Sequence, residues 1–140
     1  MDVELQFGCD GVDWTFVFET LKRVGMAHFS PEQHRQAFEA SSAAVFAYSG
    51  NRLVGFARAL SDGACQAAIY DVAVVPEFQR NGFGARLVQA LLARLEPCNV
   101  ILYAAPGKED FYRKLGFRKM KTGMALFPNA AARAQQGFTD

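Results

Sequence analysis

The sequence predicts one mixed α/β domain over residues 1–140, a central β-sheet flanked by helices. Three observations carry that reading. Residues 43–75 hold three apolar stretches separated by Ser49-Gly50-Asn51-Arg52 and Ser61-Asp62-Gly63, the pattern of an antiparallel meander. Residues 65–103 run strand, glycine turn, amphipathic helix and short apolar strand, a crossover that implies parallel neighbours. A chain of 140 residues with 51% hydrophobic and 21% charged side chains is also long enough to bury a real core.

Taken in order, Val3 to Phe7 forms a first strand, closed by Gly8 and Gly11. Trp14, Val17, Phe18 and Leu21 recur at helical spacing, which predicts a helix over 12–24 with one buried face. Ser30-Pro31-Glu32-Gln33 opens a second helix, to about residue 40: Ser30 caps, Pro31 suits the first helical position and Gln33 completes a capping box. Strands follow at Ala43–Tyr48, Leu53–Leu60 and Cys65–Val75. The helix over 83–95 carries Phe83, Leu87, Val88, Leu91, Leu92 and Leu95 on one stripe, and Pro97 ends it. Val100–Tyr103, wholly apolar, reads as a strand buried on both faces. A short helix spans Glu109–Leu115, stopped at Gly116, and Phe117–Phe127 returns as a last strand or strand pair. From Pro128 the tail has no apolar period and is expected to fray or pack late.

The formal net charge of +1 argues against an extended nucleic-acid surface. The local exception is Arg113, Lys114, Arg118, Lys119 and Lys121, five cations within nine residues. They read either as a solvated face or as a partner for the outer phosphates of a nucleotide-like ligand. Cys9, Cys65 and Cys98 show no CxxC or Cys/His spacing, so no metal is expected, and they read as buried small hydrophobes in a reducing compartment. No apolar run approaches the roughly 18–20 residues that span a bilayer, and the acidic N-terminus lacks a signal-peptide pattern. No membrane partner is expected, and the location expected is cytoplasmic.

The densest signal is Val72-Ala-Val-Val-Pro-Glu-Phe-Gln-Arg-Asn-Gly-Phe-Gly-Ala-Arg-Leu87. A strand that passes through glycines into a helix N-terminus makes an anion cradle, because the first helical amides lack partners and the dipole is positive there. A phosphate-bearing compound is therefore expected at residues 79–84. A Walker loop fails, since Gly107-Lys108 is followed by Glu109 and Gln79–Gly84 contains no lysine. A dinucleotide fingerprint is weak: the third glycine is missing after Gly82 and Gly84, and the turn follows a middle strand.

The third phosphate reading is a coenzyme A pyrophosphate cradle. Gln79-Arg80-Asn81-Gly82-Phe83-Gly84 resembles the Q/R-x-x-G-x-G/A motif of the GNAT superfamily of N-acetyltransferases. Asp71-Val-Ala-Val-Val-Pro-Glu77 resembles that family's fourth strand and its exit. Asp110-Phe-Tyr-Arg-Lys-Leu-Gly-Phe117 resembles its later F/L-Y-x-x-x-G-F motif at a fitting distance. Phe56-Ala-Arg-Ala, Asp62-Gly63 and Ile69-Tyr-Asp-Val-Ala-Val74 are similar to the small group that includes plant chloroplast serotonin and lysine acetyltransferases.

The resemblance implies the GNAT fold, acetyl-CoA as co-substrate and acetyl transfer to a primary amine, and Trp14, Phe16, Phe18 and Phe29 near the acceptor wall favour a small aromatic or apolar one. Gln79, Arg80, Asn81, Gly82, Phe83 and Gly84 would hold the pyrophosphate. Main-chain groups of Val72 and Val74 would pair with the pantetheine arm beside a bulge that opens a slot, and one of their amides would face the thioester oxygen. Tyr112 would protonate the departing sulfur, since a phenol near pKa ~10 carries its proton at neutral pH. Asp71 would hold the acceptor ammonium or pass on its proton, or else act structurally. His28, in the loop between the first two helices, and His34, read as surface, are weaker candidates for the base. One departure stands out: Ala105 occupies the place of an asparagine that often contacts the cofactor. A protein lysine acetyltransferase and a non-catalytic acyl-CoA sensor remain open, as does a homodimer.

Overall fold

A computed structural model describes residues 2–140, and the chain divides after Leu102 into two compact units. The first contains β1 (Glu4–Phe7), α1 (Trp14–Arg23), α2 (Pro31–Glu39), β2 (Ala43–Ser49), β3 (Arg52–Ser61), β4 (Gln66–Val74), a 3-10 turn at Pro76–Phe78, α3 (Phe83–Leu95) and β5 (Asn99–Ile101). Its sheet has the order β1-β2-β3-β4-β5, antiparallel except for the parallel β4–β5 pair. The meander and the strand–helix–strand unit thus stand as the sequence predicts.

Local chemistry sets the helix starts. Asp13 Oδ1 accepts the Phe16 amide at 3.2 Å to cap α1, and Ser30 Oγ accepts the Gln33 amide at 3.1 Å to cap α2. Val17, Thr20 and Leu21 form the inner face of α1, and His34 and Phe38 that of α2. They meet Phe46 and Phe56 from the sheet, with Phe38 5.5 Å from Phe46 and 5.7 Å from Phe56 between ring centroids. Each of these three rings is fully buried, and burying one contributes about 1.5–3 kcal/mol. On the opposite face, Leu87 of α3 packs over Gly55, whose partner in β2 is Ala47, so successive β2 residues feed two cores.

Two expectations about the sheet and its cysteines are corrected. β5 is the end strand rather than a doubly buried one: Asn99 is exposed and Ile101 is 51% exposed. An apolar run this short does not distinguish an edge from an interior position. Cys65 is likewise exposed rather than buried. Asp62 Oδ1 accepts the amides of Ala64, Cys65 and Gln66, and Oδ2 accepts the Cys65 thiol at 3.3 Å, which holds the cysteine on the turn.

The second unit, residues 103–140, contains α4 (Glu109–Arg113) and α5 (Ala130–Gln135). Gly116, at φ +97°, ends the first of these as expected, with the Phe117 amide returning to Tyr112 O at 3.1 Å. Residues 117–127 do not form the strand the sequence predicts, and Met124 and Leu126 are almost fully exposed. Their own unit contains no strand to supply a ladder, and Gly123 and three cations interrupt the apolar pattern. The tail, in contrast, is helical: Asn129 Oδ1 caps α5 by accepting the Ala132 amide at 3.2 Å. Phe138 beyond it packs with Tyr103 and Phe127. Among the described residues no helix is long and apolar enough to cross a membrane.

Candidate active site

β4 carries a bulge where the resemblance implies one. Arg58 pairs with Tyr70 and Phe56 with Ala73, so Asp71 and Val72 together oppose Ala57. Asp71 adopts φ +58°, a left-handed conformation unusual outside glycine, which aspartate tolerates better than most residues. On the other side, pairing with β5 covers only Gln66, Ala67 and Ala68. β5 ends at Ile101, opposite Ala68, so Ile69–Val74 run on beyond the β4–β5 ladder. The Val75 amide bonds Val54 O at 2.8 Å, towards β3, so strand alternation turns the main-chain groups of Val74 and Val72 away from β3.

β4 leads through the 3-10 turn into the glycine turn. Gln79 Nε2 donates to Val74 O at 2.9 Å, tying the turn to the strand end. Asn81 Nδ2 donates to Phe78 O at 3.2 Å and Gln79 O at 3.3 Å, so this side chain bends the turn. Arg80 at φ +66° and Gly82 at φ +78° provide two left-handed steps before α3. Phe83 is buried and anchors the first turn of the helix, which leaves its backbone as its offering to a ligand. In the first unit α1 and α2 have side-chain caps and α3 has none; its first bond runs from the Arg86 amide to Gly82 O at 3.1 Å. The amides of Phe83, Gly84 and Ala85 precede that ladder, the donors a pyrophosphate requires. The residues therefore fit a coenzyme A phosphate group.

Asp71 is ion-paired. Arg58 Nε donates to its Oδ2 at 2.7 Å, Arg58 Nη1 reaches Ser41 Oγ at 3.4 Å, and the guanidinium lies over the rings of Phe38 and Tyr70. The role of Arg58 was not read from the sequence, although counting the hairpin register places it opposite Tyr70. His34 is buried, contrary to its expected surface position, because its ring lies on the inner face of α2 beside Phe18 and Phe29. Its Nε2 accepts the Phe29 amide at 3.0 Å. Burial pushes its pKa down; Asp71 opposes that shift, and Arg58 and His28 add to it. His28 is exposed, with Nδ1 3.0 Å from Met26 O and its ring 5.7 Å from Phe18. The loop between α1 and α2 is thus lined by Phe18, His28, Phe29 and His34.

Asp71, Val72, Val74 and Gln79 to Gly84 all belong to the first unit and line one continuous strand and turn. Tyr112 belongs to the second, in α4, half-buried with its ring edge-on to Phe111 at 4.9 Å and Phe117 at 5.8 Å. Burial raises its pKa, so the phenol keeps its proton. Of the five neighbouring cations, Arg113 pairs with Asp110 at 3.0 Å. Among the described residues no three His, Cys, Asp or Glu side chains are arranged to hold a metal ion.

Residues 16–125 match the acetyltransferase (GNAT) domain family. The chain is 38% identical over 124 residues to the uncharacterized N-acetyltransferase ycf52 of Porphyra purpurea, covering 86% of this chain and 67% of that protein. It is 37% identical over 114 residues to the chloroplastic serotonin N-acetyltransferase 2 of Oryza sativa subsp. japonica, covering 76% and 57%. In three dimensions it is similar to a GNAT family acetyltransferase from Streptococcus pneumoniae, with a TM-score of 0.76, 25% identity and coverage of 90% and 98%.

Proposed function

This chain belongs to the GNAT acetyltransferases, and from that premise we propose that it moves acetyl from acetyl-CoA to the primary amine of a small, apolar or aromatic acceptor. The family uses acetyl-CoA as donor. The observation that carries the donor side is the uncapped start of α3, reached from the part of β4 that runs beyond its ladder with β5.

Transfer needs a held donor, a neutral amine, a stabilised oxyanion and a protonated leaving thiolate. The amides from Gln79 to Gly84 grip the diphosphate. The main chain of Val72 and Val74 aligns the thioester arm, and one of their N–H groups faces the carbonyl oxygen. The amine nitrogen bonds to the acetyl carbon, the carbon–sulfur bond breaks, and Tyr112 gives its proton to the sulfur. Asp71, with Oδ2 engaged by Arg58, offers its other oxygen to the acceptor ammonium and relays the proton to water. The rings of Phe18, His28 and Phe29 favour an apolar or aromatic amine.

An acetyl-CoA-dependent thiol-release assay across free amines and lysine peptides tests the reading. Turnover of small amines supports it. Activity on peptides alone makes the enzyme a protein lysine acetyltransferase. Coenzyme A affinity without turnover of any amine or peptide makes it a sensor.

A further inference from the structure

We propose that neutral His34 is a positioning residue for the acceptor: by accepting the Phe29 amide it fixes the loop between α1 and α2, and protonation at Nε2 releases that loop. This rests on reading the loop as the acceptor wall.

An amide N–H can only donate, so the nitrogen 3.0 Å from Phe29 N presents a lone pair, and the neutral ring carries its proton on Nδ1. Adding a proton at Nε2 sets two N–H groups against each other. The ring is 3% exposed, so water cannot readily replace the lost partner. Nor does α2 need this bond for its start. Ser30 Oγ already caps the helix through Gln33, and His34 reaches back past the cap to the residue before it. What the bond holds is the loop itself. Phe29, 63% exposed, also lies tilted against the ring at 5.8 Å, and Phe18 faces both His34 and His28.

The groups that bear on the proton come from three directions. Asp71 of β4 favours the charged ring, whereas Arg58 of β3 and His28 of the loop disfavour it. Burial outweighs the attraction, and the ring is neutral at neutral pH. His34 is therefore poorly suited to be the base: one nitrogen is engaged and the other already holds its proton.

The test uses the full chain, with His34→Gln as the conservative variant, because a glutamine oxygen can accept the Phe29 amide without titrating. In 15N-labelled wild type the Phe29 amide resonance is expected to move as pH falls below about 6.5, and in His34→Gln it stays still. With 2-phenylethylamine as probe, His34→Ala is expected to raise the acceptor KM about tenfold at unchanged acetyl-CoA KM, and His34→Gln to restore most of that loss. A Phe29 amide indifferent to pH overturns the proposal. So does a loss confined to kcat that glutamine does not restore, which would make the ring a proton carrier. If the amide titrates as expected but no free amine of the panel is acetylated, the hold on the loop is supported and the small-amine reading falls.

Discussion

Arg58 and Asp71 meet across the β4 bulge, Nε to Oδ2 at 2.7 Å, with side chains only 16% and 19% exposed. The bulge turns Asp71 into a left-handed conformation, and the guanidinium that receives it lies over the rings of Phe38 and Tyr70. The pair therefore joins β4 to the core beneath α2.

Asp71→Asn is the informative change, because asparagine accepts the same backbone conformation while removing the charge. It leaves Arg58 without its counter-ion. The expected loss is about 2 kcal/mol, between the cost of an exposed pair and that of breaking a fully buried one. Urea denaturation checks this, and a loss below about 0.5 kcal/mol would mean that water screens the pair.

Gly82, at φ +78°, sets the approach to α3, and a Cβ there would meet nothing within 4 Å. Any penalty for Gly82→Ala is thus conformational, about 1–2 kcal/mol. The turn can relieve it only by moving the amides of the cradle. Calorimetry should find coenzyme A affinity lowered about tenfold in Gly82→Ala and less in Gly82→Asn, which tolerates the left-handed region. Equal affinities in all three would show that the turn's conformation does not govern binding.

Patterns that depend on nearby residues were legible in the sequence. Ser30-Pro31 marked the start of α2, and Phe83 to Leu95 is helical at the bounds its apolar stripe indicates. Features that depend on a distant partner were not. The Asp71–Arg58 pair requires hairpin register, the exposure of β5 requires strand order, and the burial of His34 requires knowing which face of α2 turns inward. Two misses have other causes. Asn129 before an alanine-rich stretch is a capping signal for α5, but a search for apolar periodicity passes over it. Residues 117–127 alternate enough to suggest a strand, yet a strand exists only where another strand pairs with it.

Tyr112→Phe should separate chemistry from packing. The ring contacts with Phe111 and Phe117 survive, so stability should change little, whereas loss of the proton donor should lower kcat about 100-fold with coenzyme A affinity kept. Burial raises the phenol's pKa, so the alkaline fall in kcat is expected above the ordinary tyrosine value near ~10. Steady-state rates across pH decide it, and a variant with wild-type kcat would remove Tyr112 from the mechanism.

The pH dependence of stability should carry the signature of His34. Its folded pKa lies below the unfolded value of about 6.5, so the unfolded chain binds more protons in that window and stability falls as pH drops through it. Urea midpoints across the acid range should fall less steeply in His34→Gln. Identical slopes would mean that the ring contributes nothing to the linkage.

Gly55 faces Val74 in the β3–β4 ladder. A Cβ at this position would stand 3.0 Å from Ala73 O, 3.1 Å from Leu87 Cδ1 and 3.4 Å from Val74 Cγ2. Leu87 can rotate, but the Ala73 carbonyl belongs to the β3–β4 ladder and moves only with the strand. Gly55→Ala is therefore expected to cost about 2 kcal/mol, in the range for overpacking a close-packed core. Because Gly55 pairs with Val74, the strain should also reach that residue and raise the acetyl-CoA KM. Denaturation and steady-state kinetics on the same variant distinguish the outcomes. Lower stability with unchanged KM confines the strain to the α3 side, and an unperturbed variant would show that β3 and β4 yield to an added methyl group.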